Sequence, residues 1–305
     1  VIVPRVRRGT WRPVRPNGVY CTGRPYPVRT MPILLSLASA VVYGVGDWFG
    51  GRAARRQSAI VVAGVGQVVS LILVFVGVLI IGSPVPSAAT WVWGAGAGMV
   101  GALGIAGLYH GFANGDVTVV APLSAVVGTV VPVAGALIIG ERPSGLAYAG
   151  IALAVVAIAL VSGALGTHSH NTPPRIVALA IGVGACFGLL FIALERTDAN
   201  SGMWPLVAAR LASVPMLLVL ALGSGARPVA HRASIVTSMG VGVVDMAANV
   251  LYLEAVRRGE LSIVSVVASL YPASTVALAF GVDRERIGRW QALGLALAVA
   301  ALVMV

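Results

Sequence analysis

Polar side chains inside apolar runs are the residues of this sequence whose types and spacing could do chemistry. Asp245, Asn249 and Tyr252 follow one another at i, i+4 and i+7, so a helix would place all three on one face. Tyr43 and Asp47 form a second i, i+4 pair in an earlier run. A charge deep in hydrocarbon is costly unless it is paired or faces water, so these five residues are candidates for a substrate-binding site.

Arg210 is the cation that lies inside a predicted apolar helix. At 1.5 Å rise per residue, antiparallel neighbouring helices would place Arg210 about 12 Å and Asp245 about 17 Å from one membrane edge, a difference that an arginine side chain spans. Three interpretations stay open. The two residues form a permanent pair that locks helices together, or they contact the substrate and exchange partners, or Arg210 snorkels to the surface.

Weaker candidates have more ordinary explanations. Ser265 and Ser269 form part of a polar stripe in a later apolar run. Gln67 is explained better by a helix–helix hydrogen bond than by ligand binding. Glu254 lies near a helix end and is expected to anchor it at the membrane interface, and Glu141 is expected to cap a turn at the membrane edge.

Two motif matches are rejected. Residues 96–101 fit the glycine pattern of a dinucleotide-binding loop, but that loop needs a preceding strand, and these glycines lie in one membrane-length run. Small residues of this kind let helix backbones approach closely. His168 and His170 stand in a polar turn without a neighbouring acid or cysteine. We therefore expect no catalytic residue, no metal site and no cofactor.

The elements that must position the polar residues follow from composition. Of the 305 residues, 58% are hydrophobic and 10% are charged, whereas a soluble domain has about 25% charged residues. This excludes a cytosolic enzyme, a nucleic-acid-binding domain and a secreted scaffold. Runs of about 18–24 residues are long enough to cross the hydrocarbon core as helices. Ten such runs are predicted: 32–51, 58–81, 91–113, 117–139, 145–165, 175–195, 202–223, 234–256, 261–282 and 288–305.

The first segment of the chain differs in kind. Residues 1–31 hold seven arginines among several prolines and contain no acid, so we expect a basic, Pro-rich disordered segment. Two interpretations remain: the segment touches anionic lipid, or it is translated upstream sequence and the native start is Met31, the first methionine.

A repeat organises the rest of the chain. An offset of 144 residues without a gap aligns Tyr43-Gly44 with Phe187-Gly188, and residues 115–120 with 259–264. One offset covers five helices in each half, and an odd number of crossings inserts the second half upside down. The predicted fold is therefore all-α and integral to the membrane, with ten transmembrane helices as two inverted five-helix repeats. The predicted divisions are 1–31 (basic segment), 32–165 (first repeat), 166–174 (linker) and 175–305 (second repeat).

The turn at residues 114–123, the segment 140–143 and the five-plus-five layout resemble the EamA-type family of the drug/metabolite transporter superfamily. The resemblance implies cytoplasmic termini and a central cavity lined by the third, fourth, eighth and ninth helices, with the first and sixth nearby. Tyr109 on the third helix and Tyr271 on the ninth join the substrate-binding candidates on this basis. The loop arginines run against the positive-inside rule for this orientation, and we follow the resemblance.

Prolines predict where helices can bend. Pro122 and Pro132 interrupt the predicted fourth helix, and Pro272 interrupts the ninth, so these repeat-related elements are expected to serve as hinges.

The expected function is secondary transport, without ATP, of small polar or amphipathic metabolites such as amino acids, by alternating access in the plasma membrane. The chain contains no phosphate-binding GxxxxGK[ST] loop and no acid cluster suited to an enzyme. Expected partners are a small-molecule substrate, membrane lipids and a coupling proton or ion, but no nucleic acid. The alternatives are a lipid or lipid-carrier flippase on the same scaffold and a non-transporting membrane subunit.

Overall fold

The computed structural model of the chain describes residues 30–114, 117–161, 173–224, 232–282 and 288–304. These residues form helices, and within the described ranges no strand occurs. The eleven helices are α1 (Thr30–Ala54), α2 (Ala59–Ile81), α3 (Ala88–Asn114), α4 (Val117–Ile138), α5 (Gly145–Val161), α6 (Pro174–Glu195), α7 (Trp204–Gly223), α8 (Arg232–Val256), α9 (Leu261–Ala268), α10 (Tyr271–Gly281) and α11 (Arg289–Met304). Most of the predicted basic segment and linker, including His168 and His170, lies outside the described residues.

Every predicted apolar run coincides with helix, and the ends differ from prediction by a few residues. Six described helices are long and apolar enough to cross a membrane, and four shorter apolar helical stretches accompany them, with Leu261–Thr275 of the ninth run counted as one. The ninth run, 261–282, contains a turn that separates α9 from α10, beside the proline that the sequence predicted to interrupt it. The physical reason is Pro272, which has no N–H to donate to the carbonyl of Ala268 and restricts the backbone of the preceding residue.

The two prolines of α4 lie within a continuous helix. The helix α4 runs unbroken from Val117 to Ile138, so neither Pro122 nor Pro132 divides it. Pro132 lies against Gly188 of α6, where a side chain larger than hydrogen would overlap it. A proline removes one backbone hydrogen bond, and packing against a neighbouring helix tolerates this loss. Of the three predicted hinge residues, Pro272 alone stands at a break.

The packing of the bundle is nearly the same when the two halves are exchanged. The helix α1 packs against α8 and against the α9–α10 pair, while α6 packs against α3 and α4. The helix α2 packs against α7 and α8, while α7 packs against α2 and α3. The last helices of the halves, α5 and α11, pack against each other. Each half therefore completes its core with helices from the other half.

Repeat-related glycines make the closest helix crossings. A methyl group at Gly98 of α3 would overlap the backbone of Ala209 in α7, and one at Gly242 of α8 would overlap the backbone of Gly66 in α2. Gly98 and Gly242 are 144 residues apart. The backbones touch because neither residue has a Cβ, as the glycine-rich runs predicted.

The outer surface is apolar. Large hydrophobic side chains point away from the bundle, with Ile80 80% exposed, Ile138 85% and Val303 82%. The interior holds smaller residues, among them Ala180, Ala248 and other fully buried alanines and serines. Apolar surface on this scale requires an apolar solvent, so the bundle is built to lie in lipid.

We expect Gly98→Ala to destabilise the bundle by about 1–3 kcal/mol, because the new methyl group must push α3 away from α7. Thermal unfolding of the purified protein in detergent measures the effect. Gly96→Ala is the matched control on the same helix, since no atom lies within 4 Å of a methyl group built there. The control should be neutral or slightly stabilising, and equal loss in both variants would contradict the crossing.

Candidate substrate cavity

A cavity of about 60 Å³ lies between the two halves of the bundle. It is bounded by α1, α2, α3, α6, α7, α8 and the start of α10, so both halves contribute to it. Its lining residues are Tyr43, Gly46, Asp47, Gln67, Gly101, Ile105, Tyr109, Phe187, Leu190, Phe191, Arg210, Val241, Asp245, Asn249 and Tyr271.

An ion pair crosses from α7 to α8 in the cavity wall. The Nη2 atom of Arg210 donates to Oδ2 of Asp245 at 2.7 Å. The arginine side chain is 3% exposed and the aspartate side chain 24%. Arg210 therefore does not snorkel to the surface in this structure. The other two interpretations, a locking pair and a substrate contact, both agree with this geometry.

The Asp245 carboxylate is held by further donors. The amide of Asn249 donates to the main-chain oxygen of Asp245 at 2.8 Å and to Oδ1 at 3.2 Å. The Ser70 hydroxyl of α2 lies 2.7 Å from the carbonyl of Gly242 and 3.5 Å from Oδ2 of Asp245. One face of α8 thus fixes the carboxylate, as the i, i+4 spacing of Asp245 and Asn249 predicted.

Gln67 has both a structural contact and a place in the cavity wall. The hydroxyl of Ser213 in α7 donates to Oε1 of Gln67 in α2 at 2.8 Å. The expected helix–helix hydrogen bond is confirmed. Gln67 also lines the cavity, so this contact joins α2 to α7 beside the ion pair.

The second predicted face, on α1, carries a carboxylate of a different kind. Tyr43 and Asp47 both line the cavity. Among the residues that the structure describes, no cation lies within ion-pairing distance of Asp47. The ring of Tyr109 from α3 lies against Gly50, where any larger residue would overlap it. The ring of Tyr109 therefore covers α1 at Gly50, and Asp47 lines the cavity beside it.

Three predicted binding residues do not line this cavity. Tyr252 is fully buried, stacks on Phe191 with ring centroids 4.2 Å apart and donates its hydroxyl to the Phe191 carbonyl at 3.4 Å. Seven residues beyond Asp245 correspond to about 10 Å along the helix axis, which carries Tyr252 past the cavity into the packing against α6. Ser265 and Ser269 are also buried outside the lining. The periodicity predicted the face but not where the cavity ends.

One end of the bundle is closed by polar contacts between the halves. The carboxylate of Glu141, after α4, accepts the backbone N–H of Leu261 at 2.8 Å and that of Ser262 at 3.0 Å, as well as the Ser262 hydroxyl at 2.6 Å. These are the first N–H groups of α9, which have no partner inside the helix. An acid of the first half therefore caps a helix of the second half.

The α6–α7 loop adds to the same closed end. Its Asp198 N–H donates to the hydroxyl of Thr90 at the start of α3, at 3.2 Å. Arg257, after α8, donates to the Ser201 hydroxyl at 3.0 Å and pairs with Glu254 at 3.3 Å. Burial lowers the pKa of the Arg257 guanidinium from its ordinary value, and the charge of Glu254 opposes that shift. Glu254 thus pairs with an arginine at the end of α8.

Comparison with known proteins identifies the family. The family model described as the EamA-like transporter family matches residues 30–163 and again residues 174–305. The chain belongs to the EamA-like transporter family. The two matches begin 144 residues apart, which is the offset of the repeat in the sequence. An EamA-like chain is a multi-span membrane protein, and its family is one of membrane transporters of small molecules.

Solved structures agree on the fold. One described as "Crystal structure of protein" has a TM-score of 0.70 and covers 90% of this EamA-like chain and 97% of its own. Its sequence identity is 13%, so the likeness concerns the fold alone. No curated protein matches the chain.

The two EamA-like copies also account for cavity residues that sequence reasoning missed. Tyr43, Gly46 and Asp47 of α1 line the cavity, and 144 residues later Phe187, Leu190 and Phe191 of α6 line it too. Likewise Gly101 and Ile105 of α3 correspond to Asp245 and Asn249 of α8. Adding the offset to the candidates on α1 would have found the α6 wall. They were missed because the candidates were chosen as polar residues, and Phe187, Leu190 and Phe191 are apolar.

We expect Arg210→Met to destabilise this EamA-like protein by about 3–5 kcal/mol, because it leaves the Asp245 carboxylate in the wall without its cation. Combining it with Asp245→Asn should restore much of the loss, since neither charge then remains unpaired. Thermal unfolding of the two single variants and the double variant gives the coupling between the sites. Additive losses would contradict the ion pair.

Proposed function

We propose that this chain is a secondary, non-ATP transporter of small polar or amphipathic metabolites, amino acids and related compounds among them, in the plasma membrane. The observation that carries the proposal is the cavity between the halves, where a buried Arg210–Asp245 pair meets aromatic walls. A closed structural bundle would have no use for charges at that depth, because each is costly to hold there.

Alternating access is supported by the arrangement of the repeats. Each half crosses the membrane five times when α9 and α10 are counted as one crossing, and an odd number of crossings gives the second copy the opposite polarity. The cavity is lined by equivalent positions of both copies, such as Tyr43 and Phe187. If the halves exchange their conformations, the cavity is presented to the opposite side of the membrane. With both termini cytoplasmic, the end closed by Glu141 faces the cytoplasm in this state.

A proton or another ion supplies the energy in this proposal. The Asp245 carboxylate is engaged by Arg210, whereas Asp47 has no ion pair in the part of the chain that the structure describes. Asp47 is therefore the group available for a coupling proton. Collapse of the proton gradient should reduce uptake if coupling occurs there, and unchanged uptake would leave facilitated transport.

We expect proteoliposomes holding the purified protein to accumulate solutes from a ¹³C-labelled water-soluble metabolite extract, because the cavity offers a polar route between the halves. Mass spectrometry of the trapped contents identifies the solutes. Replacing Arg210 by Met should reduce accumulation at least about tenfold, the effect of losing roughly 1.4 kcal/mol of binding.

Empty liposomes, and liposomes with the stable double variant Arg210→Met/Asp245→Asn, give the background. The same vesicles are tested for movement of a fluorescent phospholipid between leaflets. Accumulation no greater than background would contradict metabolite transport. Lipid movement under those conditions would identify the flippase alternative.

We expect Glu141→Gln to open the closed end. Both carboxylate oxygens of Glu141 accept a backbone N–H, Oε1 from Leu261 and Oε2 from Ser262, whereas a glutamine amide has one accepting oxygen. In a variant whose only cysteine replaces Ser265, a fully buried residue of α9, a maleimide should react roughly three- to tenfold faster after this change.

Glu260→Gln is the matched control for that prediction. Glu260 precedes α9 directly, is exposed and makes no capping hydrogen bond, so its replacement removes the same charge beside the same helix. Its labelling rate should equal that of the parent. Equal rates in all three proteins would show that the Glu141 cap does not hold the end closed.

A further inference from the structure

The cavity lining contains more carboxyl groups than cationic groups. Its lining includes two carboxylates, Asp47 and Asp245, and one guanidinium, Arg210. The guanidinium is bound to Asp245 at 2.7 Å. Within the described residues, Asp47 is left without a cation. A ligand with a positive group would pair with Asp47, whereas an anionic ligand would meet a carboxyl group that has no cation beside it.

Aromatic rings surround the same space. A cation is attracted to the face of an aromatic ring, and the attraction grows when water is removed. The Asp47 carboxylate and the aromatic rings therefore both favour a ligand with a positive charge. The aromatic lining residues are Tyr43, Tyr109, Phe187, Phe191 and Tyr271.

The walls differ in polarity although the framework repeats. Asp47 on α1 corresponds to Phe191 on α6, and Asp245 on α8 corresponds to Gly101 on α3. Polar groups thus lie on α1 and α8, which pack against each other, and apolar groups lie on α3 and α6, which also pack together. A ligand that fits both walls has a charged end and an apolar end.

We propose that the cavity binds a small amphipathic organic cation, with Asp47 as the group that receives its positive end. The α3–α6 wall, with Ile105, Phe187 and Leu190, receives the apolar end. This deepens the proposed function, since it names the class of substrate for a transporter cavity, and in that respect rests on it. The site itself requires only that the cavity admit a ligand.

Equilibrium dialysis with radiolabelled benzyltrimethylammonium tests the site. This probe joins a fixed positive charge to a benzene ring, and unlabelled benzenesulfonate is a competitor of similar size and opposite charge. The wild-type protein in detergent should bind the probe saturably, and the sulfonate should not displace it. Absence of saturable binding, or displacement by the sulfonate, would overturn the proposal.

Asp47→Asn should weaken binding of the probe at least about tenfold, because a charge-assisted contact is lost. Asp198→Asn is the matched control, an exposed aspartate whose carboxylate accepts a hydrogen bond from the N–H of Asn200 in its own loop. Asp47→Glu keeps the charge and should stay within about threefold of wild type. If Asp47→Asn fails to elute as a folded monodisperse protein, the wild-type and Asp47→Glu measurements decide. Wild-type affinity in Asp47→Asn would refute the role of this residue.

Uptake measurements separate this inference from the proposed function. Proteoliposomes that accumulate anionic or neutral metabolites but exclude and do not bind the probe would contradict the cation site and leave transport intact. Saturable, Asp47-dependent binding without accumulation of any solute would support the site and contradict transport.

Discussion

The contact between Arg210 and Asp245 sets the constraint on which the cavity depends. A guanidinium that is 3% exposed carries a desolvation penalty of several kcal/mol, and a carboxylate within hydrogen-bonding distance must offset it. The two helices are brought to that distance by close crossings on either side. Gly242, three residues before Asp245, meets Gly66 of α2, and Ala209, the residue before Arg210, is the point where α7 meets α3. Small residues therefore fix the depth at which the charges meet.

The repeat supplies a symmetric framework, and side chains break its symmetry. Crossings recur at positions 144 residues apart, whereas the polar groups do not: Asp47 corresponds to Phe191, and Arg210 corresponds to Gly66. In the transport cycle that we propose, a symmetric framework would allow the halves to exchange conformations with little change in packing. The charged residues of the lining, Asp47, Arg210 and Asp245, lie on α1, α7 and α8 and give the cavity one charged side. The first property belongs to any such repeat, but the second depends on the individual sequence and bears on what is bound.

Much of the fold follows from the sequence because membrane-length apolar runs permit one kind of backbone structure. The i, i+4 spacing of Asp245 and Asn249 gave their shared face, and helix depth brought Arg210 within reach. What could not be predicted depends on neighbours. Tyr252 shares that face but lies further along α8, where a ring of α6 covers it. The division of the ninth run, by contrast, follows from the sequence, because Pro272 cannot donate a backbone hydrogen bond.

The helix α8 links the cavity to the closed end of the bundle. It is continuous over 25 residues, and Asp245 lies nine residues, or about 13 Å, from Glu254. Near its end, Arg257 binds the α6–α7 loop through Ser201. If this helix moves as one body in the transport cycle that we propose, separating that loop from α8 would also displace Asp245 relative to Arg210. A ligand shifts such an equilibrium only by its difference in affinity for the two states. In this proposal the difference in affinity comes from contacts between the ligand and the cavity wall beside Asp245, because the position of that wall would change with α8.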